Sequence, residues 1–178
     1  MPAPVDHAST DALLYEAFFT PVAKHLCFLN PNHVTIANLF LIIPLIYGIL
    51  NKWPLLPFML IIIGRTTLDC FDGSIARECK KTSKLGAMLD TLGDSLTLTA
   101  VSVALLYITH KAKQLVNYQL YIAVALLAAA LIYGNYMIHT DTKFEGIFAV
   151  LHDNYFVGNI IIGVLVWFYV NRWISGKR

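Results

Sequence analysis

Apolar runs long enough to cross a bilayer alternate with short polar breaks along most of the chain. The first run, residues 34–50, follows the turn signal Asn30-Pro31-Asn32-His33. It ends at Asn51-Lys52-Trp53-Pro54, with Trp53 placed at the membrane interface. The second begins near Leu55 and continues through a group of aspartates to Ala76 or Cys79. A polar turn at 80–84 leads into a third run at 85–108. After a second polar break at 110–114, a fourth covers 116–138. Residues 155–173 form a last run that can also cross, since spanning takes about 20 apolar residues. The stretch 143–152 has only the short apolar core 146–151 and predicts a short helix or re-entrant segment.

Ahead of these runs, residues 11–29 mix Asp11, Glu16, Lys24 and His25 with Leu and Phe, and Pro21 interrupts them. That pattern predicts an amphipathic helix lying in the interface. The expected fold is an all-α integral membrane protein, a bundle of five to six transmembrane helices preceded by the interfacial helix. Residues 1–29 form the tail and interfacial helix, and 30–178 the transmembrane domain.

Composition agrees with this reading. The chain of 178 residues is 57% hydrophobic and 13% charged, where soluble domains run near 45–50% and 25%. A net charge of +2 is too small to imply nucleic acid. Cys27, Cys70 and Cys79 are odd in number and lack metal or CxxC spacing. They predict a reducing compartment, no disulfide, and a role as small buried residues. The opening MPAPVDHASTDALL has no basic segment followed directly by an apolar core, so the first apolar helix is expected to act as an uncleaved membrane signal. Lys24, Arg77, Lys80, Lys81 and Lys84 place the 80–84 turn in the cytoplasm, against Lys111 and Lys113 on the other side.

Into this apolar chain the sequence puts Asp69, Asp72, Asp90 and Asp94. The first two are spaced i, i+3 and the second two i, i+4, so each pair shares a helical face. Folding the two helices about the 80–84 turn brings the pairs to similar depth. Gly73, Ala76 and Gly86 leave room between them for close helix approach or for a ligand. Four carboxylates repel one another, and Arg77 offsets only one. Divalent metal resolves the repulsion, because hard cations take carboxylate oxygens, and two ions can clamp a phosphoryl group. A solvated hairpin is disfavoured, because Asp90 and Asp94 precede the apolar run SLTLTAVSVALLY. A divalent-cation channel or transporter would explain the acids, but not the glycines, Ala76 and Arg77 at their offsets. The stretch DGSIAR lacks the alternating Asp/Asn ligands and the terminal Glu of an EF-hand. His110, His139 and His152 share no ligand spacing, and aromatics such as Tyr133, Tyr136 and Trp167 read as core or interfacial belts.

Asp69-x2-Asp72-Gly73-x2-Ala76-Arg77-x8-Gly86-x3-Asp90-x3-Asp94 resembles the signature of the CDP-alcohol phosphotransferase (CDP-alcohol phosphatidyltransferase) family, with all eight fixed positions filled. At background frequencies of roughly 5–10% per residue, eight chance matches are rare. The resemblance implies a phospholipid-synthesis enzyme that moves a substituted phosphate from a CDP-alcohol to an acceptor alcohol and releases CMP. It implies two Mg²⁺ ions, with Mn²⁺ as the alternative, bound by Asp69, Asp72, Asp90 and Asp94. Asp94 is also the implied general base. Gly73, Arg77, Ser83 and Gly86 match donor-contacting positions. The PNHVT stretch resembles the family's Asn-x-x-Thr, so Asn32 and Thr35 are expected to line the nucleotide pocket; read from the residues alone, both are helix caps. A cytoplasm-facing site, surrounding membrane lipids and a homodimer are further implications.

CDP-diacylglycerol is the expected donor, with inositol, serine or glycerol phosphate as acceptor. A soluble CDP-choline or CDP-ethanolamine transferring to diacylglycerol is the alternative. PNHVTIAN, with Asn38 three residues after Thr35, is similar to phosphatidylserine synthases, and the shortage of basic residues after Asp94 argues against a phosphorylated acceptor.

Overall fold

In the computed structural model of the chain, the described residues are 10–111 and 155–173, and they are helical with short connections. The elements are α1 (Thr10–Leu14), a π turn (Tyr15–Phe19), α2 (Thr20–His25), α3 (Pro31–Phe40), α4 (Ile42–Leu50), α5 (Leu55–Glu78), α6 (Lys84–Lys111) and α7 (Tyr155–Phe168), which runs into a second π turn (Tyr169–Trp173). The expected fourth span at 116–138 and the short segment at 143–152 lie outside the described residues.

Among the described residues, two helical stretches are long and apolar enough to cross a membrane, Pro31–Leu50 and Lys84–Lys111, and Phe156–Arg172 is a shorter apolar helix. α5 follows the expected second run, its 24 residues reaching about 36 Å at 1.5 Å per residue. Its charged half lowers its apolarity. On α6 the exposed large residues Leu85, Met88, Leu92, Leu96, Val103 and Tyr107 recur at helical spacing. An apolar stripe of that length facing outward suits lipid rather than water.

Two proline positions behave differently from the simple pattern. The first run divides at Leu41 into α3 and α4. Pro44 has no N–H to give the carbonyl four residues back, at Phe40, and the last turn of α3 tightens so that Leu41 N donates to Asn38 O at 3.0 Å. Pro21, expected to interrupt the first helix, is carried within it. The π turn before it widens the helix, with Thr20 N donating to Tyr15 O five residues back, so the helical path runs on to His25.

The core joins the ends of several helices: Leu45 and Ile49 from α4, Phe58 from α5, Ala104 and Ile108 from α6, and Val170 after α7. Trp167 Nε1 donates to the Trp53 carbonyl at 2.9 Å, tying α7 to the α4–α5 connection. α3 packs against both α5 and α6, and these contacts outweigh direct contact between α5 and α6. Gly73, Ala76 and Gly86 line a pocket between these helices.

The first helix is not a loose tail. Phe19 and Ala23 are 2% and 0% exposed, and the Phe19 ring meets Phe71 of α5 at 5.1 Å and Phe156 of α7 at 5.9 Å. The expectation of three unpaired thiols is corrected here. Cys27 and Cys79, 52 residues apart, form a disulfide with Cα atoms 5.5 Å apart, while the buried Cys70 stays outside any disulfide. Folding, not sequence spacing, brings the pair together, because α2 runs back along the end of α5. Closing a loop of this length contributes about 2–4 kcal/mol. Cys27→Ser, or reduction of the wild-type protein, is expected to lower the thermal midpoint in detergent, and reductant should have no further effect on the variant. Equal midpoints with and without reductant in the wild type would count against a stabilising bond.

Candidate functional site

Asn30 caps α3, its side chain accepting from Asn32 N at 3.0 Å, with Pro31 in the first turn. The capping role considered for Asn32 and Thr35 thus belongs to Asn30. That cap fixes the start of α3 so that Thr35 and Asn38, one turn apart, share a face. Thr35 Oγ1 donates to Asp72 Oδ2 at 2.7 Å and lies 3.1 Å from the Pro31 carbonyl. Asn38 Nδ2 donates to Asp69 Oδ1 at 3.0 Å, leaving its own Oδ1 buried without a partner. Both side chains are buried, at 5% and 2% exposure, so α3 holds the two α5 carboxylates from behind.

Asp69, Asp72 and Asp90 bring one oxygen each to within 4.8 Å of one another. Asp72 is 5% exposed, whereas Asp90 on α6 is open. Three carboxylates so close, one of them buried, are stable only with positive charge among them. Arg77 supplies one cation. The all-oxygen donor set with an open side fits a hard divalent ion, which makes these the residues able to hold metal. Asp94 falls outside this group and lines a separate cavity with Arg65 and Thr97.

Beside the acids is a pocket of about 170 Å³. The expected donor-binding positions Asn32, Thr35, Gly73, Arg77, Ser83 and Gly86 all line it, together with Asp72 and Asp90. Ser83 also accepts from Gly86 N at 3.0 Å, an N-cap on α6. A Cβ on Gly86 would stand 3.0 Å from Asn32 Oδ1 and 3.2 Å from Ser83 Oγ, so the lack of a side chain there keeps the pocket open between α3 and α6.

The pocket's lip is built by the end of α5. Lys80 takes positive φ (54°), Lys80 N returns to Arg77 O, and Lys81 N to Ala76 O at 2.9 Å. This Schellman arrangement turns the chain sharply. Lys81 Nζ then donates to the carbonyls of Cys27 and Leu29, fastening the loop ahead of α3. Arg77 lies over the Tyr15 ring at 5.3 Å. Burial pushes the Tyr15 hydroxyl above its ordinary range, with the Cys70 thiol adding to the rise and Arg77 opposing it. The Lys24–Glu78 pair at 3.8 Å is largely exposed and contributes little.

Tyr15, Asn38, Arg65 and Lys81 were not singled out as site residues by the sequence pattern. Asn38 carried a signal in its i, i+3 relation to Thr35, and Arg65 in being an arginine within the apolar run IIIGRTTL. Tyr15 and Lys81 depend on how the first helix folds back, which spacing does not encode.

Thr35→Val and Asn38→Leu are expected to loosen Asp72 and Asp69 respectively and to weaken divalent-ion binding by about 10–100-fold each, the usual effect of losing an outer partner of a ligand. Titration with Mn²⁺ followed by paramagnetic resonance checks this. Unchanged ion affinity in both variants would mean that α3 does not position the carboxylates.

No solved structure matches the chain. The Inner membrane protein YnbA of Escherichia coli is 33% identical over 95 residues, 51% of this chain and 46% of that protein, so the chain matches only about half of that relative's length. The family model described as CDP-alcohol phosphatidyltransferase matches residues 28–174, a range that contains the three converging carboxylates, both α3 side chains behind them and the pocket beside them. Proteins of that description transfer substituted phosphate groups in phospholipid synthesis. By this match over most of its length, the chain belongs to the CDP-alcohol phosphatidyltransferase family, a family of membrane transferases.

Proposed function

We propose that this chain transfers the phosphatidyl group of CDP-diacylglycerol to an acceptor alcohol and releases CMP, using two divalent ions, Mg²⁺ in preference to Mn²⁺. The observation that carries the reading is the convergence of Asp69, Asp72 and Asp90 within 4.8 Å, beside a pocket lined by Gly73, Arg77 and Gly86. Asp69, Asp72 and Asp90 would hold the ions, with Asp94 completing the second ion's coordination. Ions bound there supply charge neutralisation along the donor diphosphate.

The chain's own residues carry the rest. Arg77, fixed over Tyr15, is positioned to meet a phosphate oxygen. Asn32, Thr35, Ser83 and Gly86 bound the space that the cytidine half would occupy. Asp94, which lines a second cavity, takes the proton from the acceptor hydroxyl. The acceptor oxygen forms a bond to the phosphorus distal to cytidine, the bond from that phosphorus to the CMP oxygen breaks, and CMP leaves with the electron pair. Holding donor and acceptor together in one site makes the reaction effectively intramolecular, a large contribution to rate.

The proposal includes a bundle of five to six spans, membrane lipids around it, and a homodimer. Division at residue 29/30 describes membrane placement, interfacial before and transmembrane after, rather than independent folding. The basic 80–84 turn supports a site that faces the cytoplasm. The Cys27–Cys79 bond on that same face bears on this, because cytosolic thiols are normally kept reduced. Trapping thiols in intact cells before lysis checks the placement: a cytoplasmic site predicts a reduced pair, and a fully oxidised pair would put this face in an oxidising compartment.

The donor is tested by following CMP release from the purified full chain in nanodiscs, with CDP-diacylglycerol in one arm and CDP-choline or CDP-ethanolamine plus diacylglycerol in another. Release only in the first arm is expected. Release confined to the second would reverse the donor assignment while leaving the phosphotransfer chemistry in place.

A further inference from the structure

Arg65 is a cation to which the phosphotransfer scheme gives no role. Arg65 lies on α5 one helical turn before Asp69, in a stretch otherwise suited to lipid, and an ionisable group at membrane depth marks function by default. Its Nε is buried and has no hydrogen-bond partner. Arg65 lines a cavity of about 290 Å³ that Asp94 also lines. The two threonines on the same wall are turned to their own helices: Thr66 donates to the Ile62 carbonyl at 3.0 Å and Thr97 to the Gly93 carbonyl at 2.7 Å. Asn159 of α7 is a further polar group on the wall, and most of the remainder is aliphatic or aromatic.

A guanidinium beside an apolar cavity is costly unless something pairs with it. Its fork of N–H groups matches a carboxylate or a phosphate. The cavity is also lined by Asp94, the one of the four motif aspartates outside the three-carboxylate group. We propose that Arg65 determines acceptor specificity, by binding an anionic group on an alcohol whose hydroxyl is thereby held against Asp94. This rests on the reading of Asp94 as the base. The anion would be a carboxylate, as on a hydroxy amino acid, or a phosphate, as on a polyol phosphate. The shortage of basic residues after Asp94 loses its force, because the recognising cation precedes the acids in sequence. A neutral alcohol would leave the buried Nε without a partner, and sites built around one buried polar partner reject analogues that lack it strongly.

The test uses the full chain in nanodiscs, with CDP-diacylglycerol as donor and CMP release as readout. L-Serine and glycerol 3-phosphate form the anionic arm, and ethanolamine, glycerol and myo-inositol the arm without an anion. The wild type is expected to use the anionic arm, and whichever of its two members is used separates carboxylate from phosphate. Arg65→Gln should raise the acceptor KM on the order of 100-fold with the donor KM unchanged, and Arg65→Lys, which keeps the charge, should recover part of the loss. Efficient use of acceptors without an anion overturns the inference but leaves phosphotransfer standing. So does Arg65→Gln raising donor and acceptor KM together with no recovery in Arg65→Lys, since that marks a charge-balancing role. Absence of CMP release with every acceptor removes the phosphotransfer reading and this inference with it.

Discussion

Asp69→Asn and Asp90→Asn are each expected to lower CMP release by on the order of 10³-fold or more, while the protein still inserts and keeps its helix content. Losing one preorganised electrostatic group at a transition state typically costs 10²–10³-fold, and these carboxylates would act through ions that also bind the ground-state donor. The two variants probe the site from opposite helices, Asp69 from α5 and Asp90 from α6, with their oxygens within the same 4.8 Å group. The fold should survive, because removing a negative charge from a repelling cluster relieves strain rather than adding it. Asp69→Asn still offers an oxygen to Asn38. Chelation of the wild type should give the same loss, reversed by adding Mg²⁺. Near-normal release in either variant, or in chelated buffer, would mean that these acids serve some other purpose.

Asp94→Asn should show which of the two roles proposed for Asp94, general base or ligand of the second ion, dominates. Asp94 lies outside the three-carboxylate group and on the wall of the second cavity, whereas the donor positions line the first. Replacing it should therefore reduce turnover by about 10²–10⁴-fold, the range for loss of a general base, with donor affinity nearly unchanged. A group acting only in the transition state lowers kcat without weakening ground-state binding. If donor binding fell in the same proportion as turnover, Asp94 would be chiefly a metal ligand.

Much of this site was readable before the fold. The 3- and 4-residue spacings of the aspartates needed only helical periodicity to put each pair on one face. The limits of α5 follow from Pro54 at one end and the polar turn at the other. What stayed hidden depends on contacts between segments distant in sequence. The thiols of Cys27 and Cys79 meet only because α2 lies along the end of α5. Asn38 read as a feature of similarity to one enzyme type, yet its visible work is to hold Asp69. Pro21 read as a break because proline removes a helical N–H, and the π turn that absorbs the defect has no composition signature of its own. Arg65 stands out in the sequence as a cation within an apolar run, but only the fold sets it on the same cavity wall as Asp94.

The most direct measurement follows the phosphorus itself. With purified chain, CDP-diacylglycerol, acceptor and Mg²⁺, phosphorus resonance should show the paired diphosphate signals of the donor replaced, one for one, by a CMP monophosphate and a phosphodiester product, and only while Mg²⁺ is present. A donor that persists unchanged with every acceptor offered, or that yields CMP without a new phosphodiester, would contradict the assignment of this chain as a phosphotransferase.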